Sequence, residues 1–89
     1  MVKRALDRDP DIVGAVITSP TYYGICSDIW GIAMCLHNSG KFLIVDEAHG
    51  AHLGFCPYFP ESALKLGADV VIQSFHKTLP SFTQTAVLH

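Results

Sequence analysis

Lys41-Phe42-Leu43-Ile44-Val45-Asp46-Glu47-Ala48-His49 is the stretch that decides how this chain is built. Phe42 to Val45 is an unbroken apolar run bounded by Lys41 and Asp46, with none of the polar alternation of a half-exposed strand. That pattern predicts a strand covered on both faces, and such strands belong to parallel sheets overlaid by helices.

The flanking sequence repeats the theme. Upstream, Asp11 to Thr18 (Ile12, Val13, Ala15, Val16, Ile17) reads as a second buried strand, stopped by Ser19-Pro20. Between the two, Ser27 or Asp28 can cap a helix whose Ile29, Ile32, Ala33 and Leu36 recur at helical spacing, and Gly40 ends it. Downstream, Pro60 can start another helix, Glu61 to Leu66, closed by Gly67. Val70-Val71-Ile72 is a further strand, and Thr85 to Leu88 another at the end of the chain. Residues 3 to 8 resemble the last turns of a helix. The order strand, helix, strand, helix, strand predicts an α/β fold with two right-handed crossovers and a mainly parallel sheet. The abrupt beginning and end suggest a piece of a larger domain.

Composition narrows the class. Eighty-nine residues make one domain at most. A hydrophobic share of 49% against 16% charged residues argues against disorder. The net charge of −2 and the lack of any basic run leave no footprint for nucleic acid. The N-terminus lacks the apolar core of a signal peptide, and no apolar stretch is long enough to span a bilayer. A cytoplasmic location without a membrane partner is the expectation. Cys26, Cys35 and Cys56 show no CxxC spacing and read as small buried hydrophobes in a reducing compartment.

Open α/β sheets bind ligands beyond the carboxyl ends of their strands, and the polar residues collect there. Ser19, Thr21, Tyr22 and Tyr23 follow the first strand; Asp46, Glu47, His49 and His52 the second; Ser74, His76 and Lys77 the third. A carboxylate placed directly after a buried strand, as Asp46 is, needs a partner. It can cap the next turn, or it can pair with a metal or a protonated ring nitrogen. Asp46-Glu47-Ala48-His49 also spells the acidic motif of DEAH-type helicases. That reading needs a Gly-rich phosphate loop opening a helix, whereas Asn38-Ser39-Gly40-Lys41 ends one and Phe42 replaces the Ser or Thr. Asp46, His49 and His52 around one ion is another reading, but the ligand spacing typical of zinc sites is absent, so no metal is expected.

Lys77 discriminates among these. It follows a buried strand, and Ser74, His76 and Thr78 beside it are donors able to hold a phosphate. A lysine desolvated at a strand end loses its charge more readily. Its neutral amine can then attack an aldehyde to form a Schiff base. The plain alternative is an exposed turn lysine.

Ile72-Gln73-Ser74-Phe75-His76-Lys77-Thr78-Leu79-Pro80 with Thr83-Gln84-Thr85 resembles the cofactor-attachment segment of the bacterial ornithine/lysine/arginine decarboxylases. Ser19-Pro20-Thr21-Tyr22-Tyr23-Gly24 and Asp46-Glu47-Ala48-His49-Gly50-Ala51-His52 are similar to that family too, in the right order, so the resemblance covers nearly the whole chain. It implies a partial three-layer α/β/α large domain of fold type I, the aspartate-aminotransferase type, with pyridoxal 5'-phosphate as cofactor and a basic amino acid as substrate. Lys77 would hold the cofactor, Asp46 would pair with its pyridine nitrogen, and Ser74 and His76 would contact its phosphate. Ala48 would pack beneath the ring, His49 would lie near the phenolic oxygen, and Thr21 and Tyr22 would line the cofactor and substrate side.

The family's upstream phosphate loop, ring-stacking residue and C-terminal small domain do not occur in this sequence. Residues 1–89 therefore read as the central part of the large domain, inactive alone, from a parent expected to be a homo-oligomer. An aminotransferase or C–S lyase of the same fold type and an inactive truncated remnant are the rival readings. His76 directly before the lysine, with the Thr-Gln-Thr tail, favours the decarboxylases.

Overall fold

A computed structural model describes residues 1–89. The chain runs α1 (Val2–Arg8), β1 (Gly14–Thr18), α2 (Ile29–His37), β2 (Phe42–Asp46), β3 (Val70–Ser74), α3 (Phe75–Thr78) and β4 (Ala86–Leu88). The strands form one sheet in the order β1-β2-β3-β4. The first three are parallel and β4 pairs antiparallel with β3. The mainly parallel α/β sheet is as expected, including the short last strand.

Local chemistry sets the helix ends. Asp28 Oδ1 accepts from Gly31 N at 3.0 Å and caps α2. At the other end the left-handed Gly40 (φ +67) lets Lys41 N reach back to the Leu36 carbonyl at 2.9 Å. The apolar stripe Ile29, Ala33 and Leu36 lies against Leu43, Val45, Val71 and Ala63, and Val2 and Leu6 of α1 pack on the same cluster. Leu43 and Val45 are fully buried.

Asp69 ties the amino-terminal end of this packing together, since its Oδ2 accepts from Leu43 N at 2.7 Å and lies 2.9 Å from His37 Nε2. No helix is long and apolar enough to cross a membrane.

Three expectations need correction. The second face of β2 is not covered, because both α1 and α2 lie on the side of Leu43 and Val45. The alternate positions form an apolar face on which Val16, Phe42 and Leu88 are 68%, 42% and 71% exposed. Residues 1–89 thus make two layers, a sheet and one set of helices.

Glu61 to Leu66 is a turn rather than a helix. Lys65 N bonds to Ser62 O and Leu66 N to Ala63 O, and the left-handed Gly67 (φ +92) turns the chain away at once. Ser62 Oγ and Ala63 N are held instead by the side chain of Glu47, far back in the sequence.

The cysteines are not core residues. Cys26 is exposed in the loop after β1, and Cys35 and Cys56 are half-buried. Cys35 lies off the buried stripe of α2, which explains its position.

Candidate functional site

Parallel register brings the predicted loops to one edge. Thr18 pairs with Asp46 and Asp46 with Ile72, so β1 and β2 end abreast and β3 runs two residues further, to Ser74. The loop after β1, the loop after β2 and helix α3 all leave from this edge, as the sequence pattern implied.

Asp46 and Glu47 leave β2 on opposite faces. Asp46 is half-buried, and its Oδ1 accepts from Ala48 N at 3.0 Å. The turn-capping role is therefore real, and it leaves Oδ2 without a protein partner. Ala48 itself is buried. Glu47 continues the core-facing series of Leu43 and Val45 and is 1% exposed.

Three donors converge on the Glu47 carboxylate: Ser62 Oγ (2.7 Å) and Gln73 Nε2 (2.6 Å) on Oε2, and Ala63 N (2.7 Å) on Oε1. The Gln73 Oε1 meets His89 Nε2 at 3.1 Å. Sequence reasoning gave Glu47 no role in this site. Period-two counting along the strands holds the missing signal, because positions 43, 45, 47 and 71, 73 project one way and end in a carboxylate facing an amide.

Ser74 is buried at the end of β3 and starts α3 without using its side chain to cap it. His76 Nδ1 lies 3.1 Å from the Thr85 carbonyl, which also accepts from Phe75 N at 2.9 Å. A carbonyl can only accept, so Nδ1 carries the hydrogen and Nε2 stays available.

Lys77 is exposed, which corrects the expected buried lysine. It sits on the single helical turn that directly follows β3. The ion pairs present are Lys65–Glu61 and His37–Asp69, so Lys77 has no carboxylate partner.

A cavity of about 360 Å³ lies beside these groups, lined by Thr21, Tyr22, Cys26, His49, His52 and Thr78 among others. His49 stands edge-on to the Tyr22 ring at 5.6 Å, and His52 edge-on to Phe59 at 5.2 Å. Thr21 Oγ1 accepts from Ile25 N at 3.2 Å, closing the loop that follows β1. His52 Nδ1 and Thr78 Oγ1 are buried without any hydrogen-bond partner. Asp46, His49 and His52 do not gather as a metal cluster, nor does any other group of three His, Cys, Asp or Glu.

Comparison with known proteins places the chain in a family. Residues 1–89 match the family described as "Orn/Lys/Arg decarboxylase, major domain". The chain is 51% identical over 88 residues to the uncharacterized protein YaaO of Bacillus subtilis, covering 99% of this chain and 18% of that protein. It is 40% identical over 87 residues to an arginine decarboxylase of Bacillus subtilis, covering 98% of this chain and 18% of that enzyme. It is 29% identical over 93 residues to the lysine decarboxylase LdcA of Pseudomonas aeruginosa, covering 96% of this chain and 12% of that enzyme. The chain thus spans about a fifth or less of the curated relatives it matches.

Proposed function

The chain belongs to the Orn/Lys/Arg decarboxylase family, and we propose that residues 1–89 are the central, lysine-bearing part of a pyridoxal-phosphate-dependent decarboxylase of a basic amino acid, either arginine, lysine or ornithine. The observation that carries the reading is the placement of Asp46 and Lys77 after neighbouring strands of one sheet edge, neither using its charge on the other. One closes β2 with a carboxylate oxygen to spare, and the other follows the neighbouring strand β3 with an unpaired amine.

The residues present fit this cofactor. Lys77 Nζ is free to join an aldehyde, Asp46 Oδ2 to face a protonated ring nitrogen, and Ser74 Oγ to donate to a phosphate, with His76 Nε2 a second donor only in the imidazolium form, since Nδ1 already carries the hydrogen given to Thr85. The orphaned Thr78 Oγ1 next to Lys77 is a further buried polar atom in want of a partner. When bound, the cofactor supplies an electron sink for the pair left by departing CO2. The Asp46 carboxylate would stabilise the positive ring nitrogen on which that sink depends. Lys77 Nζ would carry the proton returned to the substrate's α-carbon. The third helical layer of fold type I would cover the apolar sheet face that holds Val16, Phe42 and Leu88.

Two measurements test the reading. Adding pyridoxal phosphate should produce a visible absorbance band that Lys77→Ala abolishes; a band that survives the substitution would mean attachment elsewhere. CO2 release from arginine, lysine and ornithine should be negligible for residues 1–89 alone, because Lys77 stands in water and nothing in this chain excludes it. Robust turnover by the 89-residue chain would overturn that part.

A further inference from the structure

We infer that Glu47 is a positioning residue for the cofactor site, acting through the backbone of Asp46 and Ser74 rather than by touching the ligand. The inference rests on the proposed cofactor reading but adds a residue that this reading does not use. Asp46 and Ser74 lie on the open face of the sheet, and their chain neighbours Glu47 and Gln73 lie on the buried face. Gln73 Nε2 and Glu47 Oε2 join at 2.6 Å, and Glu47 N donates to the Ile72 carbonyl at 2.8 Å. These two bonds fix the ends of β2 and β3 against each other, from the residue after Asp46 to the residues one and two before Ser74.

The same carboxylate holds the far end of the loop that follows β2. Ser62 Oγ and Ala63 N reach it from 15 and 16 residues away, so the loop carrying Ala48, His49 and His52 is pinned at both ends to one buried group. The packing is tight. A Cβ at Gly50 would come within 2.6 Å of Glu47 Cγ and 2.7 Å of Pro20 Cδ, so the Glu47 stem also sets how closely the loops after β1 and β2 approach. A carboxylate suits this place because it only accepts, and all three neighbours donate. An isosteric amide would set its own NH2 against Ser62 and Gln73. Gln73 could answer by turning its amide round only if His89 also changed tautomer, so that its Nε2 accepted instead of donating.

The test compares Glu47→Gln with Asp69→Asn, which breaks a hydrogen-bonded cluster at the opposite end of the sheet. Pyridoxal phosphate affinity is read from the visible band. Without cofactor, amide hydrogen exchange is read at Ala48, whose N–H reports on the Asp46 turn. Glu47→Gln should weaken cofactor affinity by about tenfold or more, the usual scale for supporting groups behind a site. It should also speed exchange at Ala48, while Asp69→Asn leaves both readings near wild type.

If Glu47→Gln does not fold, Ser62→Ala removes one of the three bonds and should shift both readings the same way by less. Wild-type affinity and unchanged Ala48 exchange in the folded variants overturn the inference. So does an equal loss of affinity in Asp69→Asn, which would make the effect one of stability alone. Should the unaltered chain give no band, the cofactor reading fails. The positioning inference then stands or falls on Ala48 exchange.

Discussion

At the amino-terminal end of the parallel strands the polar side chains near the sheet are spoken for. Asp69 Oδ2 serves Leu43 N and His37 Nε2, and Lys41 Nζ donates to the Pro10 carbonyl at 3.1 Å. At the carboxyl-terminal end the same types of group are left over. Lys77 has no carboxylate, Asp46 keeps one oxygen free, and His52 Nδ1 and Thr78 Oγ1 are buried unpaired. A buried polar group without a partner costs about 1–3 kcal/mol, so folding alone gives no reason to collect such groups at one edge. The contrast separates residues that hold the sheet from residues that are available to something else. Glu47 is the exception that joins the two roles, since it is satisfied like the amino-terminal groups yet sits at the carboxyl-terminal edge.

The largest effect should come from breaking that exception. Glu47→Leu removes the acceptor of three donors and leaves Ser62, Ala63 and Gln73 facing an apolar group. At about 1–3 kcal/mol for each donor left unsatisfied, the sum is about 3 kcal/mol or more, a large part of a small domain's stability. Urea denaturation should show a strongly lowered midpoint or no folded baseline at all. A loss below about 1 kcal/mol would mean that the cluster is not formed, and the two ends of the sheet would then no longer differ as described.

A smaller, purely steric disturbance reaches the same edge without touching any polar group. In Gly50→Ala the added methyl meets Glu47 Cγ and Pro20 Cδ closer than carbon atoms tolerate. Relieving that overlap should cost about 1–3 kcal/mol, as overpacking of a tight contact does. The urea midpoint should fall, and the circular dichroism of the folded state should stay that of the parent. An unchanged midpoint would show that the two loops give way freely and that Gly50 is not a point of close approach.

The sequence made the architecture legible where the pattern was dense. Phe42 to Val45 and Val70 to Ile72 are strands, Asp28 and Gly40 bracket α2, and the three polar clusters fall on one edge because parallel strands all point one way. It misled where short segments depend on tertiary partners. Glu61 to Leu66 has a helical composition, yet Ser62 and Ala63 are held by Glu47 from the far side of a loop. Lys77 was expected to be buried because it follows a buried strand. It lies instead on a four-residue helix after the strand, where its side chain is exposed. Glu47 was overlooked because its neighbour Asp46 carries the recognisable motif, and its own partners lie 15 to 26 residues away.

The smallest effect belongs to the amino-terminal end and depends on pH. The His37 side chain beside Asp69, and after it the Leu43 N–H, hold the Asp69 carboxyl below its ordinary value of 3.8. An unfolded chain therefore takes up the Asp69 proton at a higher pH than the folded one does. The stability this supplies is complete above 3.8 and is lost as pH falls through the lower folded-state value. Both side chains are substantially exposed, at 38% for His37 and 42% for Asp69, so solvent screening keeps the contribution modest.

Other carboxylates also titrate in acid, which makes the difference between two proteins the useful reading. Asp69→Asn should have a slightly lower urea midpoint than the parent near neutral pH and a shallower decline below about pH 4, so that the two curves converge in acid. Curves that stay parallel would show that Asp69 is not held in its charged form by its neighbours. Pyridoxal phosphate affinity near neutral pH should be the same in both proteins, because the cluster lost lies at the end of the sheet that keeps no group free for a ligand.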